Sequence, residues 1–177
     1  MRRGRRVLEW WSRTRDEYER GAEAGARERP LAGYAVLLGG YTAFVAAAAV
    51  AARRRGTAPS RPEFTDLALL AVATFRVSRT LTKDPILAPL RAPFTTYQSP
   101  AGPGEVMEAP RAGMLRHAIG ELLTCPFCMT QWTGTAGLAC LAFFPEPTRW
   151  VTSGLSAVAA ADALQLGYAQ LQQAAQE

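Results

Sequence analysis

The chain has 177 residues, with 20 basic against 15 acidic side chains, one histidine and three cysteines. That length fits one compact domain or a small membrane bundle with an extension, and three cysteines are too few for a disulfide framework. A net charge of +5 would permit nucleic-acid binding, but the basic residues flank apolar runs, a pattern that speaks for anchoring at anionic lipid headgroups and against a nucleic-acid face.

Residues 7–29 read as a helix, with Val7, Trp11, Thr14 and Tyr18 on one stripe among Arg and Glu. Two readings of this basic segment stand side by side: a helix at the headgroup interface, where Trp10 and Trp11 keep a polar edge wet, and a solvated helix with a short partner-binding face. Leu31–Ala52 carries no charge over 22 residues and predicts a first span, stopped by Arg53, Arg54 and Arg55. The run exceeds the roughly 7–15 residues of a signal core, so it reads as an uncleaved anchor. Gly56 to Pro62 is a short loop.

The second apolar segment is interrupted. Leu67–Phe75 is apolar, but Asp66 precedes it and Arg76 and Arg79 follow, so residues 63–82 span only if counted whole. A central arginine costs about 2.5–3.5 kcal/mol on insertion scales, whereas one near a helix end can snorkel. From Asp84 to Gly120 runs a connector with six of the 12 prolines, and Pro85, Pro89 and Pro93 exclude a regular helix there. Gln98–Pro110 has the composition of a mobile loop. Met114, Leu115, Ala118, Ile119, Leu122 and Leu123 then form the apolar stripe of an amphipathic surface helix, with Arg111, Arg116, His117 and Glu121 opposite. Cys125–Phe144 predicts a third span, ended by Pro145 and Pro147, and Trp150–Tyr168, containing Asp162, a fourth; Ala169–Glu177 reads as a polar, fraying tail.

The fold class expected is therefore all-α, with about four membrane helices plus amphipathic surface helices. The organisation along the chain is a basic helix (1–30), an added anchor (31–56), a membrane domain (57–168) and a tail (169–177). With the N-terminus inside, 13 basic residues fall on the inner side and five on the outer, which places both termini in the cytoplasm. Around the first span alone the bias is weak, because Arg53–Arg55 pull the other way.

Two constellations could carry chemistry. Pro126 suits the first position of a helix, which would make Cys125 its cap and place Cys128 in the first turn, where the helix dipole favours a thiolate. The Cys-Pro-Phe-Cys step resembles the glutaredoxin active site, but no βαβ pattern surrounds it. His117, Glu121, Cys125 and Cys128 share one helical face, yet His117 and Cys128 would lie about 16 Å apart on an unbroken helix. Structural zinc usually takes four Cys or His ligands, so zinc would need a second subunit, and no cofactor is expected. The second constellation is charge inside the apolar segments: Asp66, Arg76, Arg79 and Asp162 should face one another, with Asp162 pairing with Arg76 or Arg79 across the bundle. No nucleophile–base pair, phosphate loop or paired carboxylates are readable, which speaks against catalysis.

Three ordered blocks, Ala73–Asp84, Pro89–Phe94 and Gly120–Trp132, resemble the bacterial membrane family filed as domain of unknown function 1360. The resemblance covers roughly residues 64–168 and matches at Arg76, Arg79, Asp84, Arg91, Glu121, Cys125, Cys128 and Trp132. It implies a small integral protein of the bacterial inner membrane with no assigned activity; some relatives in spore-formers carry sporulation labels. Residues 1–57 depart from the family pattern by adding a basic helix and a span. A structural or interaction role is expected, with a homo-oligomer or protein partner. Under it, the arginine-rich face from Arg76 to Arg91, together with Glu121, would hold the connector through ion pairs. The rivals are a thiol or metal site at Cys125 and Cys128, and a small transporter or channel component using Asp162 and Arg76.

Overall fold

Helices form where the apolar runs predict them, and a hairpin forms where the composition suggests only a loop. The computed structural model describes residues 2–20, 29–56 and 62–176. Helix α1 is Arg2–Arg20, α2 Leu31–Arg55, α3 Phe64–Lys83, α4 the single turn Ala88–Arg91, α5 Met114–Thr124, α6 Pro126–Phe143 and α7 Pro145–Ala174. Strands β1 (Thr95–Gly102) and β2 (Glu105–Pro110) pair antiparallel. The helix expected up to residue 29 is described only to Arg20, and most of the Gly56–Pro62 loop lies outside the described residues. The tail expected to fray continues α7 as far as Ala174.

The chain is mostly helical, but the all-α expectation is corrected by β1 and β2. A Pro103-Gly104 turn closes them, with Gly104 at φ 68, the left-handed conformation that glycine adopts without a Cβ penalty. The register slips between Tyr97 and Ser99 and between Pro100 and Gly102; the second is the bulge expected where proline and glycine interrupt a strand.

Among the described helices, α2 alone is long and apolar enough by itself to cross a membrane. Four such helices are not supported at that level, for identifiable reasons. Asp66, Arg76 and Arg79 lie inside α3; Gln131 and three threonines dilute the uncharged α6; Asp162 and the glutamines of its last turns dilute α7.

Two compact units are present, each discontinuous in sequence. One comprises residues 1–43 and 83–125, the other 44–82 and 126–177. In the first, β2 packs on α5, and Gly33 of α2 meets α5 so closely that a Cβ there would collide with the Met114 carbonyl and lie 2.9 Å from the Ala118 Cβ. In the second, α3 and α7 run parallel: Asp66 faces Arg149, the Leu69 carbonyl accepts from Ser156 Oγ at 3.0 Å, and Arg76 faces Asp162. Helix α6 runs antiparallel to α3, with Gly137 against Leu70, Gly134 against Thr74, and Thr130 Oγ1 3.2 Å from Ser78 Oγ.

Candidate functional site

Buried polar side chains are the chemically informative part of both units. In the first unit, α4 is a single turn. It follows a 3-10 turn capped by Asp84, whose Oδ1 accepts from the Ile86 N–H at 2.9 Å. This tight Pro-rich corner aims Arg91 inward, its side chain 1% exposed. Its Nε donates to Glu108 Oε2 at 2.8 Å, Nη2 to Glu108 Oε1 at 3.2 Å, and Nη1 to the Asp84 carbonyl at 2.9 Å. Thr95 Oγ1 lies 3.0 Å from both the Glu108 carboxylate and the Arg91 carbonyl. Both rails of the hairpin are thereby tied to α4 by a two-point, charge-assisted contact.

Glu108 is the residue that reading the sequence missed. It sits in the stretch expected to be a mobile loop, and the arginine was expected to find its partner elsewhere. The available signal was the Pro103-Gly104 dipeptide, which marks a turn.

The amphipathic helix buries part of each of its two sides, Ala118 from the apolar stripe and His117 from the polar one, while Arg116 stays exposed. His117, Ala118 and Gly120 are the buried positions of α5, whereas Met114 and Leu115 are exposed. His117 and Glu121 therefore face protein. Glu121 accepts a very short hydrogen bond from the Tyr34 hydroxyl and an ion pair from Arg29 Nη1 at 3.4 Å, and His117 Nε2 stands 3.6 Å from its carboxylate. The Arg29 guanidinium is held above its usual range, first by its contact with Tyr34 and then by the Glu121 charge. Since arginine is charged at any physiological pH, that shift has no titration consequence. Cys125 caps α5, its N–H donating to the Glu121 carbonyl at 3.1 Å, and is half-buried.

In the second unit α6 begins at Pro126, with Cys128 exposed in its first turn and Trp132 half-buried one turn on. No disulfide joins the cysteines. Among the described residues, no three His, Cys, Asp or Glu side chains converge as a metal site. Arg76 Nε lies 3.1 Å from Asp162 Oδ2, and Arg79 stacks over the Phe75 ring at 5.8 Å. At the other end of α3, Asp66 receives Arg149 through both oxygens (Nε–Oδ1 3.0 Å, Nη2–Oδ2 2.9 Å), and Glu146 takes Arg149 Nη1 at 2.9 Å. Asp162→Arg should lower the folded yield, because it sets two cations together, and the exchange Arg76→Asp/Asp162→Arg should restore most of it. Size-exclusion profiles of the detergent-extracted variants check this, and failure of the exchange would argue against the pair.

The arrangement is that of a helical protein whose interior is held by ion pairs and hydroxyls and whose corner is clamped by a hairpin. The family described as Protein of unknown function (DUF1360) matches residues 69–168, and the chain belongs to that family. It is 33% identical over 88 residues to the Sporulation protein YjcA of Bacillus subtilis (strain 168), an alignment covering 48% of this chain and 75% of that protein. No solved structure matches. The matched region begins inside α3, so α1 and α2 lie outside it.

Proposed function

We propose that this is a multi-pass protein of the bacterial inner membrane, with α2, α3, α6 and α7 crossing the bilayer and both termini cytoplasmic, acting as a structural or interaction protein. One observation carries the reading. Among the described residues, ten polar or charged side chains are buried against four hydrophobic ones, while Phe64, Phe75, Trp150 and Leu164 stand more than half exposed. Water favours the opposite distribution; lipid favours this one, because polar groups must find partners inside and apolar ones lose nothing outside. Small residues at the α3–α6 contact and the arginines toward the C-terminal end of α3 support the same reading. The buried charges engage one another, which favours scaffolding over a transport path. Cys128, exposed in the first turn of α6, is the observation that keeps thiol chemistry as the second reading. The sporulation label belongs to the Bacillus relative and is not adopted, because α1 and α2 lie outside the family match.

The test is extraction and sidedness. The full chain should stay with membranes through alkaline carbonate. In a chain with all three cysteines replaced by serine, a cysteine at Glu146 should react with an impermeant maleimide in intact cells, and one at Ser99 only after permeabilisation. Carbonate-soluble protein, or labelling of both positions from outside, would overturn the topology.

A further inference from the structure

The second unit carries a groove of about 410 Å³ between α3, α6 and α7, lined by Leu70, Val77, Cys140, Phe144, Val151 and Leu155 among others. Of the four threonines on its wall, Thr74, Thr133, Thr148 and Thr152, the last three have their hydroxyls committed to helix carbonyls: Thr133 to Met129 at 3.0 Å, Thr148 to Phe144 at 2.7 Å and Thr152 to Thr148 at 2.9 Å. What these three offer a guest is methyl groups, and with the aliphatic and aromatic residues of the wall they make the groove suit an apolar chain.

One end of the groove is charged. Phe144 lines it, the adjacent Phe143 ring lies 6.5 Å away, and the Arg55 guanidinium sits 5.5 Å over that second ring. Arg53, Arg54 and Arg55 are all exposed, and among the described residues no carboxylate pairs with them. Arg149, by contrast, is neutralised at the same end by Asp66 and Glu146. The three arginines are also the charges that run against the positive-inside bias, because the favoured topology puts them outside. An anion bound there would offset that.

We propose that the groove is a binding site for one anionic glycerophospholipid, with an acyl chain between α3, α6 and α7 and the phosphate at Arg55. The inference rests on the membrane reading above and commits to a bilayer lipid as the occupant. The groove supplies the apolar contact and Arg55 the charge selection. Stacking on Phe143 holds the guanidinium in place while leaving its N–H donors for phosphate oxygens.

The test uses the full chain purified from nanodiscs of phosphatidylethanolamine and phosphatidylglycerol, with retained lipid counted by native mass spectrometry. One phosphatidylglycerol per chain should be retained in preference to phosphatidylethanolamine. Arg55→Ala should weaken retention about fivefold, the effect of one basic residue near an anionic surface, while Arg116→Ala should leave it unchanged. Cys140→Trp should abolish retention by filling the groove. Because that variant could also misfold, N-ethylmaleimide on Cys140 of the folded Cys125→Ser/Cys128→Ser chain provides a second block, and it should displace the lipid. Equal retention of both lipids, indifference to Arg55→Ala, or a Cys140–Cys140 cross-linked dimer showing that a second copy fills the groove would overturn the proposal. Loss of carbonate resistance would overturn the membrane reading itself; carbonate-resistant protein without retained lipid would overturn only this inference.

Discussion

Glu108→Ala should destabilise the first unit by about 3–5 kcal/mol, the penalty for leaving a buried charge without its partner. The Arg91 guanidinium would remain 1% exposed with both carboxylate contacts gone. Thr95 would lose one of its two neighbours. A two-stranded hairpin is marginal by itself, so its hold on α4 and α5 decides whether it stays folded. The measurement is thermal unfolding in mild detergent together with protease cleavage at the tip around Pro100–Gly104, which should become rapid in the variant. The apolar pair Arg91→Met/Glu108→Leu should recover most of the loss, since replacing both members of a buried pair avoids the stranded charge. If the single variant melted like the parent, the clamp would be decorative.

Gly120→Ala should also be destabilising, by about 1–3 kcal/mol, the usual range for overpacking. Alanine is intrinsically better than glycine in a helix by roughly 1 kcal/mol, so the sign depends on space. At Gly120 an added Cβ would lie 2.5 Å from the Phe94 carbonyl oxygen and 3.0 Å from Pro110 Cα. Both are backbone atoms at the two ends of the hairpin, and no rotamer change relieves the contact. Gly39→Ala on α2 is the control: no heavy atom lies within 4 Å of its added Cβ, so its melting temperature should be unchanged or slightly raised. Equal behaviour of the two substitutions would mean that α5 does not depend on this close approach.

Both predictions concern the part of the chain that was hardest to read. The helices were legible because their signals are local: an uncharged run closed by Arg53–Arg55, a proline at position 126 suited to start a helix, and apolar residues from Leu67 to Phe75. The hairpin was obscured because Pro100, Ala101, Gly102 and Pro103 are poor strand formers, and composition outweighed the single turn dipeptide. Its stability comes from Arg91 and α5, which flank it in sequence but reach it only through tertiary contacts. The surroundings of His117 and Glu121 on α5 were hidden for a related reason. Periodicity shows that a helix has two faces, but not that His117 is buried on the polar one, beside a Glu121 that finds Tyr34 and Arg29.

By itself the sequence determined the helical segments and their ends, the family to which the chain belongs, and that charges inside apolar segments must find partners. Each follows from short-range patterning or from the cost of an isolated charge. The tertiary structure decided which partners they are: Arg76 with Asp162, Asp66 with Arg149, and Arg91 with Glu108, a residue that composition had assigned to a loop. Reading the chain in order offered Arg76 or Arg79 for Asp162; which pairs form, between positions 17 to 86 residues apart, is fixed by how helices and strands pack.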